Sequence, residues 1–448
     1  HRGLSSNDYL GEDGSVKGME WVVPESVIAE SHSSRGNMIG GSGAGAFEVS
    51  DHDLAGYSSS AIPTQVESFL ERAVNGDIFD GTGETGEQTR PFAIQVSFPD
   101  PHAPNETPRK YSEMVPPELI TLPPKRDGEF DLPNVPERNR VLYRMLSLDG
   151  NSEGEIRNIV GTYLAMTRFV DDGIGRILVK LDELGIRDNT IIVFTADHGD
   201  FAGEHNMFGK GGVYYDSLVR VPYIVSWPGG GVPQGEVDDS PVSTIDLLPT
   251  ILQLSGVADF TASPPQASGQ DFPPAGPRLL ADIDSEIVTS ESLRRLQGKL
   301  LPTVTNAPPR VAAFSEYGTG GPAFTMSMLN QLSEKTGSPA IMDSLWAREA
   351  EGRRKMVRTR DWKYVTDLSS ARSARSDGST AYSEDELYDL KNDPWELTNV
   401  AQEADNVGMI SNMRALLVDW MLETEDYNPV PLPTLIGRGR KPEIDTSR

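Results

Sequence analysis

The chain has 448 residues, 37% hydrophobic, 24% charged and 7% aromatic, enough for a sizeable core; at roughly 150 residues per domain it is one large domain with an appendage or two to three smaller ones. Its 40 Lys and Arg against 67 Asp and Glu leave a formal charge of −27, a field that repels nucleic acid and anionic membranes. The absence of cysteine excludes disulfides, zinc thiolates and a cysteine nucleophile within these residues, and no run approaches the roughly eighteen apolar residues of a bilayer span.

Residues 1–60 are rich in Gly and Ser and aperiodic, so they are expected to form surface loops, and the N-terminus shows neither the charged nor the apolar region of a secretory signal. From Ala61 the spacing of Val66, Phe69, Leu70 and Ala73 predicts a helix. Phe92–Phe98, bounded by Pro91 and Pro99, reads as a short buried strand, followed by a proline-rich irregular excursion over 99–140. The strongest helical period runs from Ile156 to Leu184, with Gly185 as its stop. Thr190–Thr195 is a β-branched run of the kind buried on both faces of a sheet between helices. A further strand is expected at Val221–Trp227, a short helix at Ile245–Leu254, and a linker over 257–280. Beyond 350 short strands are expected at 356–358, 362–365 and 386–390, then a helix from about 407 to 422. The alternation implies an α/β core over 1–350, loop-rich across 257–305, and an α+β subdomain over 351–448 built from a small antiparallel sheet and a helix.

Two loops carry candidate chemistry. Asp197-His198-Gly199-Asp200 directly follows the 190–195 strand, and ligands of open α/β sheets gather at the carboxyl ends of strands. Asp197 and His198 suit a divalent cation, and Lys210, set among glycines, suits a tetrahedral anion. A polar loop with a capping Asp and an exposed His would read the same way. Pro101-His102-Ala103-Pro104 follows the other strand, and its prolines fix where the imidazole points; a plain turn histidine is the alternative.

In order, Pro101-His102-Ala103-Pro104, Asp197-His198-Gly199, Gly203-Glu204-His205, Lys210, Arg220-Val221-Pro222, Ser243–Thr250, Arg360–Tyr364 and Glu386–Glu396 resemble the sulfatases of the alkaline phosphatase superfamily. The resemblance spans about 61 to 405 and implies an alkaline phosphatase-like mixed sheet flanked by helices. It implies Asp197 and His198 as two ligands of a divalent cation, usually Ca²⁺, with Mg²⁺ or Mn²⁺ as alternatives. Lys210 would bind the sulfate oxygens, His102 would contact the sulfate or assist the leaving group, and His205 would lie at the substrate. The reaction implied is hydrolysis of a sulfate monoester, of a sulfated carbohydrate or a small ester, in a secreted or periplasmic protein.

Two family features are absent in convincing form upstream of residue 61: a strand ending in paired aspartates, and the Cys/Ser-x-Pro-Ser-Arg motif oxidised to formylglycine, the family's nucleophile. Ser31-His32-Ser33-Ser34-Arg35 mimics the second with Ser33 in place of proline. In another register His1-Arg2-Gly3 matches the end of an element whose histidine meets the sulfate, which would place the nucleophile and two metal ligands ahead of this sequence; His1 could equally be a tag remnant. The alternatives kept open are a phosphodiesterase or phosphonate monoester hydrolase of the same fold, and an inactive sulfatase-like binding protein.

Overall fold

The computed structural model describes residues 47–50, 57–76, 91–103, 105–260, 296–318, 354–367 and 385–424, with short pieces at 9–10, 16–17, 278–279, 293 and, apart from 328, 325–331. The expectations for His1 and Ser31 lie outside the described residues.

The organising element is a 31-residue helix, Glu153–Glu183. Ser152 starts it with a reciprocal cap: its hydroxyl accepts the Glu155 amide while Glu155 accepts the Ser152 amide. We call this helix α3, after α1 at Ser58–Asn75 and α2 at Glu137–Leu146. α1 lies along α3, and Gly173 permits that approach, since a Cβ there would meet Pro63 at 3.0 Å and the Ser59 carbonyl at 3.2 Å. Arg176–Glu67 and Lys180–Glu71 ion pairs line the outer edge of the same contact, where exposure to solvent keeps their contribution small.

Also packed along α3, β1 (Phe47–Ser50) and β2 (Asn105–Pro108) pair in parallel, Phe47 opposite Asn105. The sequence pattern places both in loops, and the structure corrects this. Phe47 and Tyr163 of α3 each meet the Phe208 ring edge-on, at 4.8 and 5.9 Å, which joins this ribbon to the segment leading to Lys210.

The strand expected after α3 is present as β3 (Ile192–Thr195), antiparallel to β4 (Tyr223–Ser226) with Phe194 opposite Ile224. Its expected burial on both faces is corrected. Among the described residues β3 pairs only with β4, and Phe194 and Ile224 are 38% and 58% exposed. The buried strand expected at 92–98 is also corrected. Among the described residues they run without a ladder, Ile94 is 41% exposed, and Phe92, edge-on to Phe69, and Phe98, beside Gly173, lie against the helices. Apolar composition predicts burial, but a strand also needs a neighbour to accept its backbone bonds.

Helix α4 (Leu247–Leu254) follows as expected. The C-terminal unit is an antiparallel sheet of β5 (Ala313–Tyr317), β6 (Arg354–Arg358), β7 (Trp362–Asp367) and β8 (Glu386–Asp389), covered by α5 (Val407–Glu423). Its edge strand comes from well before the boundary expected at 351, because β5 supplies the apolar partner Phe314 opposite Val357. Val357, Tyr364, Leu387, Met413 and Leu417 form the core between sheet and helix. No described helix is long and apolar enough to cross a membrane.

Candidate functional site

The turn that ends β3 is held by its glycine. Gly199 donates to the Leu218 carbonyl at 2.8 Å, and a Cβ at Gly199 would sit 1.9 Å from the Ser217 carbonyl oxygen. Only glycine lets the turn lie this close to the 217–218 backbone. Asp197 and His198 thereby project from the strand end. His198 Nδ1 donates to the Gly199 carbonyl at 3.0 Å, so its Nε2 keeps a free lone pair, 3.5 Å from Oδ2 of Asp197. That spacing lets both atoms face one ion at the 2.3–2.6 Å typical of calcium–oxygen bonds. Asp197 is 80% exposed and His198 36%.

A hard cation requires six or more ligands. Among the described residues no group of three or more His, Asp or Glu side chains could hold one. The described residues therefore do not fit a complete centre.

Lys210 stands in a loop whose glycines are each explained by close contact or dihedral. Gly209 has a φ of 93°, a Cβ on Gly211 would meet Leu142 at 2.2 Å, and one on Gly212 would meet Tyr317 at 2.3 Å and Arg138 Nη2 at 2.5 Å. The Lys210 ammonium lies 3.4 Å from Oδ1 of Asp200. The other Asp200 oxygen accepts from the Tyr163 hydroxyl at 3.4 Å. Burial, then the Asp200 charge, pushes the Tyr163 phenol well above its ordinary range, so it stays a neutral donor.

His102 occupies an exposed turn closed by its own amide bonding the Pro99 carbonyl. Its Nδ1 donates to the Ala103 carbonyl at 2.7 Å, leaving Nε2 to meet a ligand. Beside it the half-buried Asp100 accepts from Ser59 of α1, and Asn105 donates to the Pro101 carbonyl at 3.3 Å. Burial raises the Asp100 carboxyl to about 6, with Glu106 adding to the shift and Ser59 opposing it. No hydrogen bond or ion pair between described residues joins His102 to Lys210; the two loops are linked through β2, β1 and the Phe47–Phe208 contact.

The expectation that His205 meets substrate is corrected. It is 3% exposed, donates from Nδ1 to Glu129 at 2.7 Å, stacks on Tyr215 at a ring separation of 3.9 Å, and has Phe130 and Phe201 edge-on. It is a core group beneath the Lys210 loop. Sequence reasoning missed Asp200 as a partner of Lys210, although its place two residues after His198 was visible.

The strand-end turn, the glycine-framed lysine and the flanking helices define an α/β core of the alkaline phosphatase-like kind. The phosphonate monoester hydrolase of Agrobacterium radiobacter shares the fold at a TM-score of 0.56 and 22% identity, covering 89% of this chain and 69% of that one. Residues 47–257 match the sulfatase family model. The uncharacterised sulfatase YidJ of Escherichia coli is 27% identical over 75% of this chain and 52% of its own length. The ulvan-active sulfatase of Formosa agariphila is 30% identical over 45% of this chain and 33% of its own. The chain spans a third to about half of these relatives.

Proposed function

We propose that this chain is the part of a sulfuric ester hydrolase that binds the sulfate group of a sulfated carbohydrate. The observation carrying this reading is the Lys210 ammonium on a loop fixed by the tightly placed Gly211 and Gly212 and the positive φ of Gly209, in the same family-matched region as the Asp197–His198 strand end. A fixed cation there neutralises charge on a sulfuryl group, and His102 Nε2 is the free imidazole nitrogen that can meet the ester oxygen. The carbohydrate class follows from the relative named for its action on ulvan. Calcium, with Asp197 and His198 as two of its ligands, and a formylglycine nucleophile belong to the same proposal, as does a secreted or periplasmic location.

The test is binding of sulfated oligosaccharides and turnover of an aryl sulfate by the chain and by Lys210→Ala and His102→Ala. Lys210→Ala is expected to weaken sulfate-ester binding about tenfold or more. Binding unchanged by Lys210→Ala sinks the reading. A Ca²⁺ titration of the chain against Asp197→Asn and His198→Ala tests the cation separately.

A further inference from the structure

Asp200 is a carboxylate standing against the group assigned to bind an anion. Its side chain is 12% exposed, and the Lys210 ammonium at 3.4 Å is the neighbour of an oxygen that has no hydrogen-bond partner. The other oxygen faces the Tyr163 hydroxyl, a neutral donor that fixes the carboxylate without cancelling its charge. Gly199, immediately before it, is pinned to the 217–218 backbone, so the turn cannot swing Asp200 away from the loop of Lys210. The structure thus places one positive and one negative charge side by side where an anion is to be held.

A lone ammonium favours the more highly charged anion. An ammonium with a fixed carboxylate behind it presents a nearly neutral pair whose donors still point outward. Such a pair bonds a singly charged ester well, and it penalises a second negative charge through repulsion from the carboxylate. Sulfate monoesters carry one negative charge; phosphate monoesters carry close to two above their second pKa of about 6.

We propose that Asp200, held by Tyr163 against Lys210, is a specificity-determining residue that makes this pocket select singly charged tetrahedral groups over doubly charged ones. This rests on the reading of Lys210 as the anion-binding group. It concerns the charge of the bound group, and it gives a role to the last residue of the Asp197-His198-Gly199-Asp200 turn.

The experiment uses the full chain and two unreactive probes of the same shape, benzenesulfonate with one negative charge and phenylphosphonate with two, titrated calorimetrically at pH 8.5. Asp200→Asn, which keeps shape and removes charge, is expected to shift the affinity ratio about tenfold toward phenylphosphonate. Asp200→Glu, which keeps the charge, should hold the wild-type ratio, and Tyr163→Phe should shift it less than Asp200→Asn. Thermal unfolding of each variant confirms that the fold is kept, and the Glu variant supplies the comparison if the Asn variant unfolds. A ratio that moves equally in the Asn and Glu variants, or in neither while Lys210→Ala weakens both probes, overturns the role of Asp200 alone. Probes bound equally well by Lys210→Ala, or by no variant and not by the wild-type chain, overturn the anion site and the proposal with it.

Discussion

The imidazole of His205 lies 2.7 Å from the carboxylate of Glu129, both side chains buried, although the two residues are 76 positions apart. The pair closes the aromatic layer of Phe130, Phe201 and Tyr215 beneath the loop of Lys210. Its role is to satisfy two polar groups that folding removes from water. Glu129→Ala leaves the imidazole unsatisfied and is expected to destabilise the chain by about 2 kcal/mol, whereas Glu129→Gln, which retains an acceptor, should cost less. Denaturant unfolding checks both. If His205→Asn weakened benzenesulfonate binding without lowering stability, the structural role would be wrong.

Lys363 is fully buried at the joint between the C-terminal sheet and the core. Its ammonium reaches Glu396 at 2.6 Å, Asp216 at 2.5 Å and the Tyr214 carbonyl at 2.8 Å, while Arg358 also pairs with Asp216 at 2.8 Å. Burial pushes the Asp216 carboxyl up, but the Lys363 and Arg358 charges outweigh it and hold it near 2; burial raises Glu396 despite the lysine. Lys363→Met strands the buried Glu396 carboxylate and leaves Asp216 to Arg358 alone, and it is expected to cost about 3–5 kcal/mol in unfolding experiments. The double variant Lys363→Met, Glu396→Gln should recover part of that loss, and additivity of the two changes would contradict the shared network.

Helical period makes α3, α4 and α5 readable because each has a long apolar stripe, and Leu387 and Tyr364 mark the C-terminal strands by β-branched and aromatic neighbours. Helix α2 is hidden among prolines, yet Pro136 sits at its N-cap position, where a missing amide costs nothing. The parallel β1–β2 pairing is not legible, since its partners are far apart in sequence and Asn105-Glu106-Thr107-Pro108 has no apolar alternation. At the site, Asp197, His198 and Lys210 are legible from residue type and place. His205 misleads because a histidine beside a glutamate in a motif shows its chemistry but not its burial, which Glu129 and the aromatic rings around it decide.

The loop of His102 carries a pH dependence whose sign follows from burial. The folded Asp100 carboxyl titrates at about 6 against an ordinary value near 3.8, so the folded chain holds its proton more tightly than the unfolded chain does. Its contribution to stability is full below about pH 4 and is lost as the pH rises through 6, an effect of about 2 kcal/mol. Asp100→Asn mimics the protonated form and keeps a partner for Ser59. Unfolding midpoints at pH 4.5 and 7.5 should therefore differ less in the variant, through a gain at pH 7.5. An equal difference in variant and wild type would show that Asp100 titrates normally.

Gly199 and Gly175 give opposite expectations for the same substitution. Gly175 lies inside α3 with nothing within 4 Å of where a methyl would sit, so Gly175→Ala should stabilise the chain by up to about 1 kcal/mol through helix propensity alone. Gly199→Ala would put a methyl 1.9 Å from the Ser217 carbonyl oxygen and 3.3 Å from Leu218 Cα, atoms of a backbone that the Leu218 amide bond to the Tyr215 carbonyl holds in a helical turn. Neither side can yield without breaking the 2.8 Å bond from Gly199 to Leu218, so the turn carrying Asp197, His198 and Asp200 must move. The expected cost is about 3 kcal/mol, at the upper end for overpacking because the obstacle is backbone. If the turn also sets the anion site, benzenesulfonate affinity at a temperature where the variant is folded should fall at least tenfold, while Gly175→Ala keeps wild-type affinity. A folded Gly199→Ala chain with unchanged affinity would mean that the close backbone contact shapes stability and leaves the position of Asp200 and Lys210 untouched.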